Sequence, residues 1–233
     1  MGIIKFDVYR NPNIGVFFQA NDNFLISPPG VTSSKISKIT GHLKVSNVST
    51  SIGGSRLIGA LTAMNSNGII VSKLIEGFEE KIITKETGLS LQKLNSRFTS
   101  AGNLIAANDY GAIVSSLISE EEAKNISKIL KVPVKRMNVS SMYLIGAMIK
   151  ATNTGAIAHP IINDNNLKTI RDVLQVDVKN TTVNSGVPYV SSGIISNTEN
   201  ILVGSQTRGS ELVMITNASV SYTHLTLPTN REV

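Results

Sequence analysis

Turns rich in asparagine and glycine recur along this chain at nearly constant spacing, and that period limits the fold more than any single motif does. The stretch LIGALTAMNSNGIIVS (57–72) returns as SAGNLIAANDYGAIVS (100–115) and LIGAMIKATNTGAIAH (144–159). Weaker copies are NIGVFFQANDNFLIS (13–27) and VSSGIISNTENILVG (190–204). In register, Asn21, Asn65, Asn108, Thr152 and Asn197 stand 44, 43, 44 and 45 residues apart. Each copy sets a four-residue turn between two apolar runs, and Asn and Gly tolerate the positive φ that hairpin turns require.

After each hairpin the pattern predicts a helix, at 32–39, 76–88, 119–131, 163–175 and 208–218. The third has Ser119 as N-cap and Glu122 three residues on, with Ala123, Ile126, Ile129 and Leu130 at helical spacing. The first reads as short and poor in acidic residues. Alternating strands follow the first four helices, at 43–48, 89–94, 132–137 and 176–181. The fifth unit has no such strand, while IIKFDVY (3–9) alternates without a unit of its own. A ring closed by the N-terminal strand accounts for both, and removes the open sheet edges of a linear array. The expected fold is α/β, a five-fold pseudo-symmetric ring of about 44-residue repeats forming one domain over residues 1–220. The segment 221–233, SYTHLTLPTNREV, has no place in the period and reads as a non-native tail.

The period also reinterprets a stretch that looks like a phosphate loop, SIGGSRLIGALTAMNSNG (51–68). A nucleotide-binding loop needs lysine and then Ser or Thr after its last glycine. Ala60 and Leu61 follow Gly59, and a hairpin strand stands where a helix should, so no nucleotide or other cofactor is expected. Gly15, Gly59, Gly102 and Gly146 each lie six residues before their turn. They are expected to start the first hairpin strand near the ring centre, where a small residue lets units crowd together. In a ring, equivalent junctions emerge on one face. That face would carry Asn11, Asn13, Ser55, Arg56, Arg97, Ser100, Asn103 and Asn184, polar groups with two arginines and no acid. Such a surface suits a protein or RNA better than a small molecule.

Composition excludes several chemistries. The chain has no cysteine, which removes disulfides, thiolate metal sites and cysteine nucleophiles together. His42, His159 and His224 are far apart and form no zinc spacing. No apolar stretch approaches the roughly 20 residues that span a bilayer, and a soluble cytoplasmic protein is expected. A net charge of +6 suits an anionic partner, but without a run of five like charges any basic surface must be assembled by folding.

The stretches IGGSRLIGAL (52–61), AGNLIAANDYGAIVS (101–115), TNTGAIAHP (152–160) and GSQTRGSELVMI (204–215) resemble the translation initiation factor 6 family in its short archaeal form, a family of the pentein fold. The likeness runs from residue 3 to about 219; one departure is Ser210 before Glu211, where the family usually has proline. The resemblance implies a monomeric factor that binds the inter-subunit face of the large ribosomal subunit. There it would meet the sarcin–ricin loop region and a small ribosomal protein beside it, block joining of the small subunit, and serve large-subunit biogenesis. Arg56 and Asn103 match family contact positions, and Gly54, Ser55, Gly102, Arg97, Ser100, Asn13 and Asn184 complete the expected ribosome-binding set. Two alternatives stand beside this: a relative of the pentein hydrolases that modify guanidino compounds, and a general RNA-binding ring. The first resembles enzymes that need a cysteine nucleophile beside a histidine, which this chain lacks. The second lacks stacking groups, since only 5% of residues are aromatic.

Overall fold

The computed structural model describes residues 2–139 and 141–219, so the 221–233 segment lies outside the described residues. Strand β1 (Gly2–Phe6) opens the chain, followed by β2 (Gln19–Ala20), β3 (Phe24–Ser27), helix α1 (Ser33–Leu43) and β4 (Ser46–Ser49). Unit two has a one-turn helix α2 (Ile58–Leu61), then β5 (Thr62–Met64), β6 (Gly68–Val71), α3 (Gly77–Thr87) and β7 (Ser90–Lys93). Unit three repeats this with α4 (Ala101–Leu104), β8 (Ile105–Ala107), β9 (Ala112–Ser115), α5 (Glu120–Leu130) and β10 (Val134–Met137). Unit four has α6 (Ile145–Met148), β11 (Ile149–Ala151), β12 (Ala156–Ala158), α7 (Asp164–Leu174) and β13 (Val178–Asn180). Unit five supplies β14 (Ile194–Ser196), β15 (Asn200–Gly204) and α8 (Gly209–Ser219).

Each unit forms one three-stranded sheet, with its hairpin antiparallel and its third strand parallel to the second. In the fifth sheet the third place is taken by β1, parallel to β15 from Gly2 opposite Asn200 to Phe6 opposite Gly204. The N-terminal strand therefore closes the ring, as the unassigned segment led one to expect. Each long helix lays one face against two sheets and leaves the other exposed. Ile126 and Leu130 of α5 share a core with Val114 of their own unit and Ile70 of the preceding one. Likewise α7 packs on Ile113 of unit three, α8 on Ile157 of unit four, and α1 on Leu202 of unit five. Every core is thus shared between neighbours, so no unit buries its apolar surface alone.

The turn asparagines join the units as well as shaping the turns. Asn65 Oδ1 accepts the backbone N–H groups of Asn67 (3.0 Å) and Gly68 (3.1 Å). Its Nδ2 donates to Asn108 O of the next turn (3.1 Å) and to Leu130 O at the end of α5 (2.9 Å). Asn108 repeats both bonds one unit on, to Thr152 O and Leu174 O. Asn197 reaches Leu43 O at the end of α1, across the ring closure. One buried amide therefore satisfies carbonyls that a helix end would otherwise leave without partners.

The structure corrects several expectations. None of the five repeat turns uses a positive φ; asparagine side chains that accept backbone N–H groups two and three residues on, as at Asn65 and Asn108, shape them instead. Helix α1 is not short: it runs eleven residues, as the other long helices do, and ends at Leu43 with Lys44 in the left-handed region (φ 59°). The following strand begins at Ser46 rather than Leu43, because buried Leu43 completes the apolar face of the helix. His42 consequently sits on the last turn of α1. Its Nε2 lies 3.2 Å from Gly2 O and 3.1 Å from Ile201 O, fastening the helix to both strands of the closing pair. The axial glycines also differ in setting: Gly59, Gly102 and Gly146 lie inside the one-turn helices and Gly15 in a 3-10 turn (Ile14–Val16), not in strands. Their expected purpose stands. A Cβ on Gly59 would run into the Gly15 carbonyl oxygen, one on Gly102 into that of Gly59, and one on Gly146 into that of Gly102.

Candidate functional site

Residues 95–100 form no bridged hairpin, while the other four junctions between units are small hairpins at the end of the ring where the axial glycines sit. They are closed by bridges between Val8 and Asn11, Ile52 and Ser55, Val139 and Met142, and Val183 and Val187. In unit two the turn places Gly53 (φ 59°) and Gly54 (φ 71°) in the left-handed region, which glycine occupies without steric cost. Beneath it lies the carboxylate of Glu79, fully buried. It accepts Gly53 N (2.6 Å), Gly54 N (3.0 Å), Ser51 Oγ (2.5 Å) and Glu76 N (2.8 Å). Unit five repeats the device: Glu211 accepts Ser185 N (3.1 Å), Gly186 N (2.9 Å), Thr182 Oγ1 (2.6 Å) and Arg208 N (2.7 Å). Burial would raise both carboxyl pKa values, but the converging donors outweigh it and hold both below the ordinary 4.5.

The supporting role of these two acids escaped the sequence reading, which saw only an acid-free face. Their signal was positional, since each stands fourteen residues after its turn asparagine. In unit three Ser119 caps α5 by accepting Glu122 N (3.2 Å), as expected. Glu122 at the same repeat position is turned instead to Gln92 Nε2 (3.1 Å) and Asn95 N (2.9 Å).

The expected site residues divide into three groups. Gly54, Arg56 and Arg97 are exposed, with half-buried Ser55 between the first two accepting Leu57 N on its Oγ (3.2 Å). Arg56 lies over the Tyr9 ring at 5.6 Å, and Arg97 over Phe98 at 4.8 Å. Asn13, Ser100 and Asn103 are half-buried, Ser100 O accepting Asn103 N (3.0 Å) at the start of α4. Gly102 and Asn184 belong to the interior fabric. Gly102 packs on the axis, and buried Asn184 donates to Pro12 O (2.9 Å) and Asn13 Oδ1 (3.3 Å) across the seam between the last unit and the first. The face also exposes Tyr9, Leu57, Tyr143, Leu144 and Tyr189, none of them among the expected binding residues. Leu57 and Leu144 belong to apolar runs, but the one-turn helices bury Ile58, Leu61 and Ile145 and leave the preceding leucine outward.

A sequence profile described as the eIF-6 family matches residues 3–218. The chain belongs to the eIF-6 family. It is 45% identical over 218 residues to translation initiation factor 6 of Nitrosopumilus maritimus, covering 94% of this chain and 99% of that protein. The protein of the same name from Cenarchaeum symbiosum is 41% identical with the same coverage. That of Pyrococcus furiosus is 40% identical over 223 residues, covering 94% and 98%. Membership places the chain among translation factors, and the five small sheets agree with the pentein fold. No helix among the described residues is long and apolar enough to cross a membrane.

In this eIF-6 family member polar side chains line the axis at both ends. At the turn end, Asn153 Nδ2 bridges Asp22 (3.1 Å) and Asp109 (2.7 Å), while Thr198 and Ser66 each donate twice to one of these carboxylates. Behind the axial glycines a cavity of about 40 Å³ holds Gln19 and Lys150. That is room for about one water. Lys150 Nζ donates to Gln19 Oε1 (3.3 Å), and burial draws its pKa down to about 8. His159 is buried too; its Nδ1 accepts Ile161 N (3.0 Å), and burial lowers its pKa.

The eIF-6 ring carries the Lys150 cation without a carboxylate bonded to it among the described residues, so Lys150→Met should stabilise the protein. The gain at pH 7 is about 1–2 kcal/mol, below the full desolvation value because the Lys150 side chain is only half-buried. The folded pKa of about 8 lies below the ordinary 10.5. The cost of the cation is therefore full below pH 8 and fades as pH rises towards 10.5. Denaturant midpoints should accordingly differ at pH 7 and converge above pH 10; equal midpoints at pH 7 would count against a desolvated cation.

Proposed function

We propose that this chain binds the large ribosomal subunit through its junction face and keeps the small subunit from joining. Arg56 carries the reading. It is exposed, held over Tyr9 and flanked by outward Leu57, and arginine with aromatic neighbours is the composition of interface centres. A guanidinium offers a planar fork to carboxylate, phosphate or carbonyl groups that lysine would match poorly. The relatives' shared name, translation initiation factor 6, supports a task in translation. Blocking needs only bulk: a compact chain of this length has a radius of gyration of roughly 17 Å and spans about 45 Å. Subunits that meet directly cannot accommodate a body of that size, so no catalytic residue is required. The same occupancy would suit a factor acting in the cytoplasm during maturation of the large subunit.

Co-sedimentation with isolated large subunits tests the reading, together with the yield of joined ribosomes at saturating protein. Protein left in the supernatant, or undiminished joining, would end it. Arg56→Ala and Asn103→Ala should each weaken binding about 30-fold, near 2 kcal/mol, with unchanged Tm. Wild-type affinity in both variants would move the interface elsewhere on the ring.

A further inference from the structure

The first junction breaks a local rule that the second obeys. Val8 N donates to Asn11 O (3.2 Å) and Asn11 N to Val8 O (2.8 Å), closing a two-residue hairpin turn. Both central residues are left-handed, Tyr9 at φ 52° and Arg10 at φ 58°, where unit two has Gly53 and Gly54. Large side chains seldom adopt this conformation, and glycine would fit the turn better. Such strain persists where something else holds it in place.

Tyr9 repays its conformation inside the protein. Its hydroxyl donates to Pro29 O (3.2 Å), its ring meets the edge of Phe17 at 5.3 Å, and its face lies under Arg56 at 5.6 Å. It thus bridges units one and two beneath the arginine. Arg10 repays nothing there. It is exposed and makes no hydrogen bond or ion pair among the described residues, so its use lies outside the fold.

We infer that the Tyr9–Arg10 turn is a further part of the subunit-binding face: Tyr9 positions Arg56, and Arg10 adds a second guanidinium at the same seam for anionic groups on the subunit. This rests on the binding reading above. Arg10→Gly relieves the strained turn, so Tm should rise by about 2 °C while affinity for isolated large subunits falls about tenfold. Arg10→Asn keeps a residue that tolerates the left-handed region; it should retain Tm and lose the same affinity. Tyr9→Leu should weaken binding about tenfold and add no further loss to Arg56→Ala, while Tyr9→Phe, which keeps the ring, should bind within twofold of wild type.

Wild-type affinity in both Arg10 variants would overturn its role. Additive losses in the Tyr9→Leu and Arg56→Ala pair would overturn the positioning of Arg56 by Tyr9. Both failures are distinct from that of the binding reading, which shows as wild-type protein left in the supernatant or as wild-type affinity in both Arg56→Ala and Asn103→Ala. In that event this inference falls with the reading.

Discussion

A single methyl group at the ring axis, in Gly102→Ala, is expected to leave little folded protein. The added Cβ would fall on the Gly59 carbonyl oxygen and within 2.7 Å of Thr62 O. Both are backbone atoms of the preceding unit, so neither can swing aside as the end of a side chain could. Relief requires units two and three to separate, and closure passes that displacement to every other seam. We expect a loss of about 4 kcal/mol or more, a large part of the 5–15 kcal/mol that holds a typical domain. Gly41→Ala is the control. It lies in α1 with nothing within 4 Å of its Cβ, and should stabilise by up to about 1 kcal/mol. Soluble yield, far-ultraviolet circular dichroism and the urea midpoint report both; a wild-type midpoint for Gly102→Ala would refute the axial packing described here.

Glu79→Ala carries the second large effect. It strips the acceptor from Gly53 N, Gly54 N, Glu76 N and Ser51 Oγ at once, around a buried site. Unsatisfied donors of this kind make a loss of about 3 kcal/mol reasonable, part of it recovered if water enters. The junction bearing Ser55 and Arg56 should loosen as well, visible as faster amide exchange at Gly53 and Gly54. The acid also sets a pH dependence. Its folded pKa lies below the ordinary 4.5, so its stabilisation is present above pH 4.5 and is lost as pH falls through the folded value. Glu211 acts in the same direction. Wild-type Tm should therefore drop below pH 4.5, and Glu79→Ala should drop less steeply; identical slopes would mean that Glu79 is not the titrating support.

Much of this architecture is written locally. Asn65 and Asn108 mark their turns because an asparagine side chain can bond the backbone two and three residues on, whatever lies around it. Ser119 announces α5 for the same reason, and the unassigned strand at the N-terminus, set against a fifth unit lacking one, implies closure by simple counting. Arg56 and Arg97 are legible as outward groups because they precede the apolar runs.

The remainder depends on neighbours that are distant in the chain. The amide of Asn197 meets Leu43 O across 154 residues, and His42 reaches Ile201 O across 159. No local pattern records such partners. Leu57 reads as core because it is apolar, yet which side of a one-turn helix is covered depends on the adjacent unit. Asn184 reads as surface because it is polar, yet ring closure buries it against Pro12 and Asn13. Period and turn chemistry are short-range properties of the backbone, and the repeat dictates five units and their closure. Which side chains face the partner follows from how each unit covers the next, a long-range packing condition met only when the ring is complete.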